Sequence, residues 1–277
     1  LMELDQLYKR LNRSHRKRLY LLEEHLYLVE QRDDLYLERI TLYNLLGDYA
    51  KAKELLQRHQ FHPWEGGEGK VIQQYIICNI ELAKRAIGSG EPDDALQLLC
   101  EAENYPSNLG EGKLAGAQEN DIHYWKGIVY EKMGDKIRAD EYFKRAVKGM
   151  SEPVQAIFYN DPQPDKIFYQ GLAWRKLNNP EKAAAIFQCL IDFGLTHITD
   201  EISIDYFAVS LPGLSVFDAD LNLWNKIHCL YMMGLGYAGL NNEDTERAEE
   251  CFNEVLRLDL NHQGAAIYKQ MMSVKSL

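Results

Sequence analysis

The chain has 277 residues and sets 42 Asp and Glu against 31 Lys and Arg, a formal charge of -11. That balance repels phosphate backbones and anionic lipid, so neither nucleic acid nor a membrane is the expected partner. With 46% apolar and 26% charged residues, the chain carries enough apolar surface to bury a core and is not of the disordered type.

Helical periodicity predicts helices over 2–12 and 15–30, with Ser14 as the N-cap of the second. Lys9, Arg10, Arg13, Arg16, Lys17 and Arg18 cluster here and read as a solvated helix face, with an anion-binding patch as the sharper alternative. Further helices are predicted near 33–46, 49–58, 71–88, 92–103, 119–133, 136–149, 165–177 and 181–193. A last hairpin takes 219–239 and 244–257, and a helix near 263–274 caps the end. No run approaches the roughly 18 apolar residues of a membrane helix, and the start lacks the sections of a secretion signal. The chain opens at Leu1 and enters a helical pattern at once, as a fragment of a longer protein or a trimmed product would. Cys78, Cys100, Cys189, Cys229 and Cys251 are odd in number and never spaced as C-x-x-C, which fits buried thiols in a reducing, cytoplasmic setting.

Periodic punctuation organises these helices. Leu45-Leu46-Gly47-Asp48-Tyr49 leads to Ala52, Gly90-Glu91-Pro92 to Ala95, and Met133-Gly134-Asp135 to Ala139 and Phe143. Leu177-Asn178-Asn179-Pro180 leads to Ala183 and Phe187, and Leu240-Asn241-Asn242 to Ala248 and Phe252. Upstream stand Gly127-x-x-Tyr130, Gly171-x-x-Trp174 and Gly234-x-x-Tyr237. In these positions the chain resembles the tetratricopeptide repeat (TPR) family, whose unit is two antiparallel helices crossing at small residues. The fold class expected is all-α, a TPR-like solenoid forming a single superhelical domain over 1–277. Its hairpins are placed at 2–30, 33–58, 71–103, 119–149, 165–193 and 219–257. The alanines recur at intervals of 43, 44, 44 and 65 against a standard unit of about 34, so long insertions separate the hairpins.

Two insertions, His59 to Lys70 and Tyr105 to Lys113, share a Gly-Glu-Gly-Lys core at the same phase, and the two cores are expected to be neighbours. A glycine-rich turn beside a lysine and a helix start suits an anion, while plain connection with solvated charges is the blander reading. Neither copy is a P-loop: Trp64 and Ser107 stand where a Walker motif needs glycine, and Val71 and Leu114 where it needs Ser or Thr. His59 and His62 have a His-x-x-His spacing without a third ligand nearby in sequence, so no metal site is expected. Trp64 with Glu65 suits a sugar platform or, more plainly, packing over a hairpin end. The third insertion, 194–218, holds the apolar run Tyr206 to Leu214, which must lie against the solenoid or another domain.

Counting from the turns places Leu37, Thr41, Ile80, Lys84, Tyr124, Ile128, Phe168, Leu172, Tyr231 and Leu235 on the inner face. Either this groove takes an apolar or aromatic protein segment, or the Tyr206 to Leu214 run fills it; the second needs no partner and is favoured. A closer resemblance rests on Gln31 to Tyr36, Phe61 to Lys70, Gly116 to Asp121 and Ile204 to Pro212. These runs look like the carboxy-terminal TPR region of large bacterial proteins in which a β-rich domain comes first. That resemblance implies an upstream β-rich domain as partner and a carbohydrate connection. No nucleophile–base ordering stands out, so the chain reads as a non-catalytic scaffold without cofactor. The alternative is an accessory domain of a carbohydrate-active enzyme. Candidate partner or saccharide residues are Trp64, Glu65, Glu68, Lys70, Glu111 and Lys113 on the insertions, and Tyr124, Phe168 and Tyr231 in the groove.

Overall fold

A computed structural model describes residues 1–64, 66–155, 163–202, 220–240 and 245–273. Regular structure among them is helical throughout. Where one domain is expected from the sequence, the described residues divide into two compact units, the first ending at Ala115 and the second beginning at Gly116, just past the second Gly-Glu-Gly-Lys run. The first holds α1 (Met2–Arg10), α2 (His15–Glu24), α3 (Leu26–Val29), α4 (Asp33–Leu45), α5 (Tyr49–Arg58), α6 (Lys70–Ser89) and α7 (Pro92–Glu103). The second holds α8 (Asn120–Lys132), α9 (Lys136–Ala146), α10 (Pro164–Lys176), α11 (Pro180–His197), α12 (Leu221–Leu240), α13 (Thr245–Leu258) and α14 (Gln263–Ser273).

Three hairpin turns follow one chemistry. Gly47, Gly134 and Asn178 take the left-handed conformation at φ 77°, 79° and 57°, the conformation that ends a helix on its own carbonyls. The next residue caps the following helix: Asp48 accepts from Lys51 N–H, Asp135 from Arg138 N–H and Asn179 from Lys182 N–H. Four residues after each cap, Ala52, Ala139 and Ala183 are buried, small enough for two helix axes to approach closely.

At three crossings of the second unit the aromatic ring of the second helix lies over a glycine of the first. Phe143 covers Gly127, Phe187 covers Gly171 and Phe252 covers Gly234, and a β-carbon at any of these glycines would come closer than 3.0 Å to the ring. Phe187 is clamped from two sides, since Gly239 of α12 meets the same ring and no part of it reaches solvent.

Three departures from the sequence reading have local causes. The predicted 15–30 helix breaks at His25, whose ring Nδ1 lies 3.0 Å from the Leu21 carbonyl while its backbone N–H turns to Leu22 O. The side chain thus takes the acceptor that would continue the helix. Asn12 at φ 48° ends α1 two residues early. Conversely, α11 continues through His197 into the stretch assigned to the third insertion. The Tyr206 to Leu214 run lies outside the described residues.

The double clamp on Phe187 gives a stability test. Gly171→Ala gains helix propensity but forces the β-carbon into a ring that cannot retreat, so urea denaturation should show a net loss of about 1–3 kcal/mol.

Candidate functional site: insertions, an open cleft and a covered aromatic row

The two Gly-Glu-Gly-Lys insertions pack on each other within the first unit. Phe61 N–H donates to Asn108 O at 2.8 Å, and the Asn108 amide donates to Leu56 O at 2.7 Å and His59 O at 2.8 Å. One loop therefore caps the carbonyl end of α5 from about fifty residues away, a role normally played by the next residues in sequence. Phe61 and Leu109 are buried in the core of this unit. Gly110, at φ 79°, lies so close to the Phe61 carbonyl that a side chain has no room.

The anion cradle, the sharper of the two readings of these loops, has an occupant supplied by the chain. Glu111 Oε2 accepts from the N–H of Gly69 at 2.8 Å, and Gly69 is the left-handed residue that caps α6. The Glu111 carboxylate thus sits where an external anion would meet the positive end of the helix. Lys113 turns to Glu103 O at 3.2 Å, while Glu68 and Lys70 are exposed. Trp64 lays its indole over Gly67, leaving no space for a β-carbon, and packs against the apolar core. One face of the supposed sugar platform is therefore covered. Glu65 lies outside the described residues.

His59 and His62 converge on Asp33. His59 Nε2 lies 2.6 Å from Oδ1, and the His62 N–H and Nδ1 lie 2.8 and 3.2 Å from Oδ2. Burial pushes the Asp33 carboxyl up, but the hydrogen bonds from both histidines outweigh it and hold the group below its usual range. His59 also stacks on Tyr36, with centroids 3.9 Å apart.

This stack borders an open cleft of about 370 Å³ between α4 and α5, lined by Glu30, Tyr36, Arg39, Lys51, Leu55, Arg58 and His59. Its cations are matched by carboxylates. Arg39 pairs with Glu23 through two contacts of 2.7 and 3.1 Å, and Glu54 serves both Lys51 at 3.1 Å and Arg58 at 2.7 Å. Sequence reasoning missed this cleft. The 51/54/58 charge spacing was visible, but it fits any solvated helix face.

In the second unit the inner-face aromatics are covered by the chain's own end. Phe168 and Tyr231 are 5% and 6% exposed. Tyr268 of α14 meets Phe168 edge-on at 5.3 Å and contacts Tyr169, Tyr231 and Phe252 at 6.2–6.4 Å. Gly264 makes room for the Tyr231 hydroxyl, and the His262 ring lies 4.5 Å from that of Tyr231. Tyr124 joins the neighbouring cluster of Trp125, Phe143 and Tyr169, where the Trp125 indole N–H donates to Tyr169 Oη at 3.0 Å. These three predicted groove residues are thus packed among other aromatic rings, with α14 supplying the cover for two of them.

The family model described as Tetratricopeptide repeat matches residues 121–148 and 231–262, the stretches that hold α8–α9 and most of α12–α13. The hairpins are TPR-like. Among solved structures, the chain is similar to one described as "Crystal structure of YrrB: a TPR protein with an unusual peptide-binding site". Identity is 13% and the TM-score 0.31, over 90% of this chain and 97% of that one. No helix among the described residues is long and apolar enough to cross a membrane.

Each TPR-like unit yields a measurable consequence. Asn108→Ala strips two carbonyls at the end of α5 of their donor and should lower stability by about 1–3 kcal/mol in urea denaturation. In the second unit, His262 Nδ1 accepts from Ala265 N–H at 3.1 Å, so the ring must be neutral to cap α14. Burial pulls its pKa down to about 4. Because the folded value lies below the unfolded one, this stability is complete above the unfolded value and is lost as pH falls toward 4. His262→Asn keeps an acceptor and removes the titration. Urea midpoints measured across this interval should fall less steeply in the variant, with a difference on the order of 2 kcal/mol at the acid end.

Proposed function

We propose that the chain is a non-catalytic interaction scaffold whose first unit receives a segment of a partner protein in the α4–α5 cleft. The observation that carries this reading is the contrast between the units. The aromatic row of the second is packed under Tyr268 and His262, whereas the cleft of the first is open, with an aromatic stack at its side and charged groups around it. An extended segment meets there the charges of partly exposed Lys51 and exposed Arg58, which exchange one carboxylate for another, above a floor of Leu55 and Tyr36 that is itself 4% and 5% exposed.

Binding suits these groups better than catalysis. Asp33 is engaged by two histidines, Glu54 by Lys51 and Arg58, and Glu23 by Arg39 and the Tyr43 hydroxyl. A general acid or base must be available to a substrate proton, and each of these carboxylates is already committed. The resemblance of the loop runs to TPR regions that follow a β-rich domain makes such a domain, upstream in the same polypeptide, the first partner to test. A saccharide receives less support, since Trp64 lies against Gly67 and Glu111 against Gly69.

The test is selection of peptides from a random displayed library against the intact chain, followed by anisotropy titration of the selected sequences. Lys51→Trp fills the cleft from a partly exposed position and should weaken them at least about tenfold, or 1.4 kcal/mol, with unchanged thermal unfolding. Selected peptides that bind this variant as tightly as the parent would remove the cleft from the account.

A further inference from the structure

The amino-terminal hairpin carries a charge surplus that the rest of the chain does not share. From Gln6 to Leu22 the sequence contains Lys9, Arg10, Arg13, Arg16, Lys17 and Arg18 and no carboxylate. Two acidic groups are engaged inside this segment. Buried Arg18 holds Asp5 at 2.7 Å and Glu38 at 2.8 Å, and Lys9 takes the same Glu38 at 2.6 Å. Lys17 stands 5.2 Å from the centre of the Tyr8 ring, a cation–π contact that leaves its charge uncompensated. Arg10, Arg13, Arg16 and Lys17 are all exposed.

Apolar groups share the same end of the hairpin. Leu7 and Leu11 are 38% and 54% exposed, one turn apart on the side of α1 that also brings Leu4 to the surface. The turn that joins the helices is well defined. Asn12 adopts φ 48°, Arg13 N–H bonds Tyr8 O at 2.9 Å, and Ser14 caps α2 by accepting from Lys17 N–H. Leu11, Arg13, Arg16 and Lys17 therefore stand on one short, hydrogen-bonded corner.

We infer that this corner is a docking surface for an acidic, leucine-bearing protein segment. Charge complementarity selects the acid, and the exposed leucines select an apolar component. Extended polyanions fit less well. A membrane or nucleic acid presents charge over a wide area and meets the remainder of a chain with formal charge -11, while a short segment senses little beyond the roughly 8 Å over which salt screens surface charge. The corner is built from other residues than the α4–α5 cleft, so the two surfaces are separable by mutation.

The experiment is fluorescence anisotropy with the intact chain and a fluorescein-labelled synthetic peptide of glutamates with leucines at helical spacing. Binding should weaken as salt rises. Arg13→Glu/Arg16→Glu/Lys17→Glu should weaken it at least about tenfold, and Leu7→Ser/Leu11→Ser should weaken it as well. Because every altered side chain is exposed, thermal unfolding should be unchanged. Lys51→Trp in the cleft should leave this binding intact, and a matching peptide with lysines for glutamates should not bind. The proposal is overturned if the acidic peptide fails to bind at low salt, if charge reversal leaves binding unchanged, or if Lys51→Trp abolishes it. It is equally overturned if phosphatidylcholine–phosphatidylserine vesicles are bound and the peptide is not.

Discussion

A phenyl ring seated on a glycine sets the geometry of three helical hairpins in the second unit. Gly127, Gly171 and Gly234 receive Phe143, Phe187 and Phe252, and in each case the missing side chain determines how near the two helices come. Close approach lets the ring touch many atoms at once, where dispersion accumulates from small pairwise terms. Phe187 extends the rule from one hairpin to the next, because Gly239 lies against the same ring. A repeat fold gains its core in this way, each hairpin completing the one beside it.

The parts of this design that are local were legible in sequence. The left-handed residue, the N-cap and the buried alanine stand within a few positions of one another at Gly47-Asp48-Ala52, Gly134-Asp135-Ala139 and Asn178-Asn179-Ala183. Their chemistry is independent of anything farther along the chain. The periodicity also singled out Phe168 and Tyr231, and both rings meet Tyr268. What covers them was not legible, because the pairing of Tyr268 with Phe168 joins residues a hundred positions apart, and a capping helix whose one tyrosine makes four aromatic contacts looks in sequence like any other amphipathic helix.

The insertions show the same limit from another side. Their shared Gly-Glu-Gly-Lys core and equal phase announced that the loops meet, and Gly69 with Glu111 joins them. The anion at the start of α6 is the chain's own carboxylate, a fact that needs the fold to bring residue 111 to residue 69. Likewise Asn108 is an ordinary loop asparagine until Leu56 and His59 are placed beside it. The α4–α5 cleft had no specific sign beyond the 51/54/58 charge spacing, since a space between helices depends on how the side chains around it are held apart.

The proposed interaction surface rests on a contrast between two faces as much as on their chemistry. Among the described residues, the first two insertions are tied into the core of the first unit, the aromatic row of the second is covered from within, and the α4–α5 cleft of the first is open. Hydroxyl-radical footprinting of the intact chain, read residue by residue by mass spectrometry, tests this division most directly. Tyr20 and Tyr27, both more than 60% exposed, serve as internal standards. The account predicts strong protection of Phe168, Tyr231 and Tyr268 while the standards are labelled. Labelling of Phe168 and Tyr231 at rates close to those of Tyr20 would mean that the aromatic row is open, and the division between the units would be wrong.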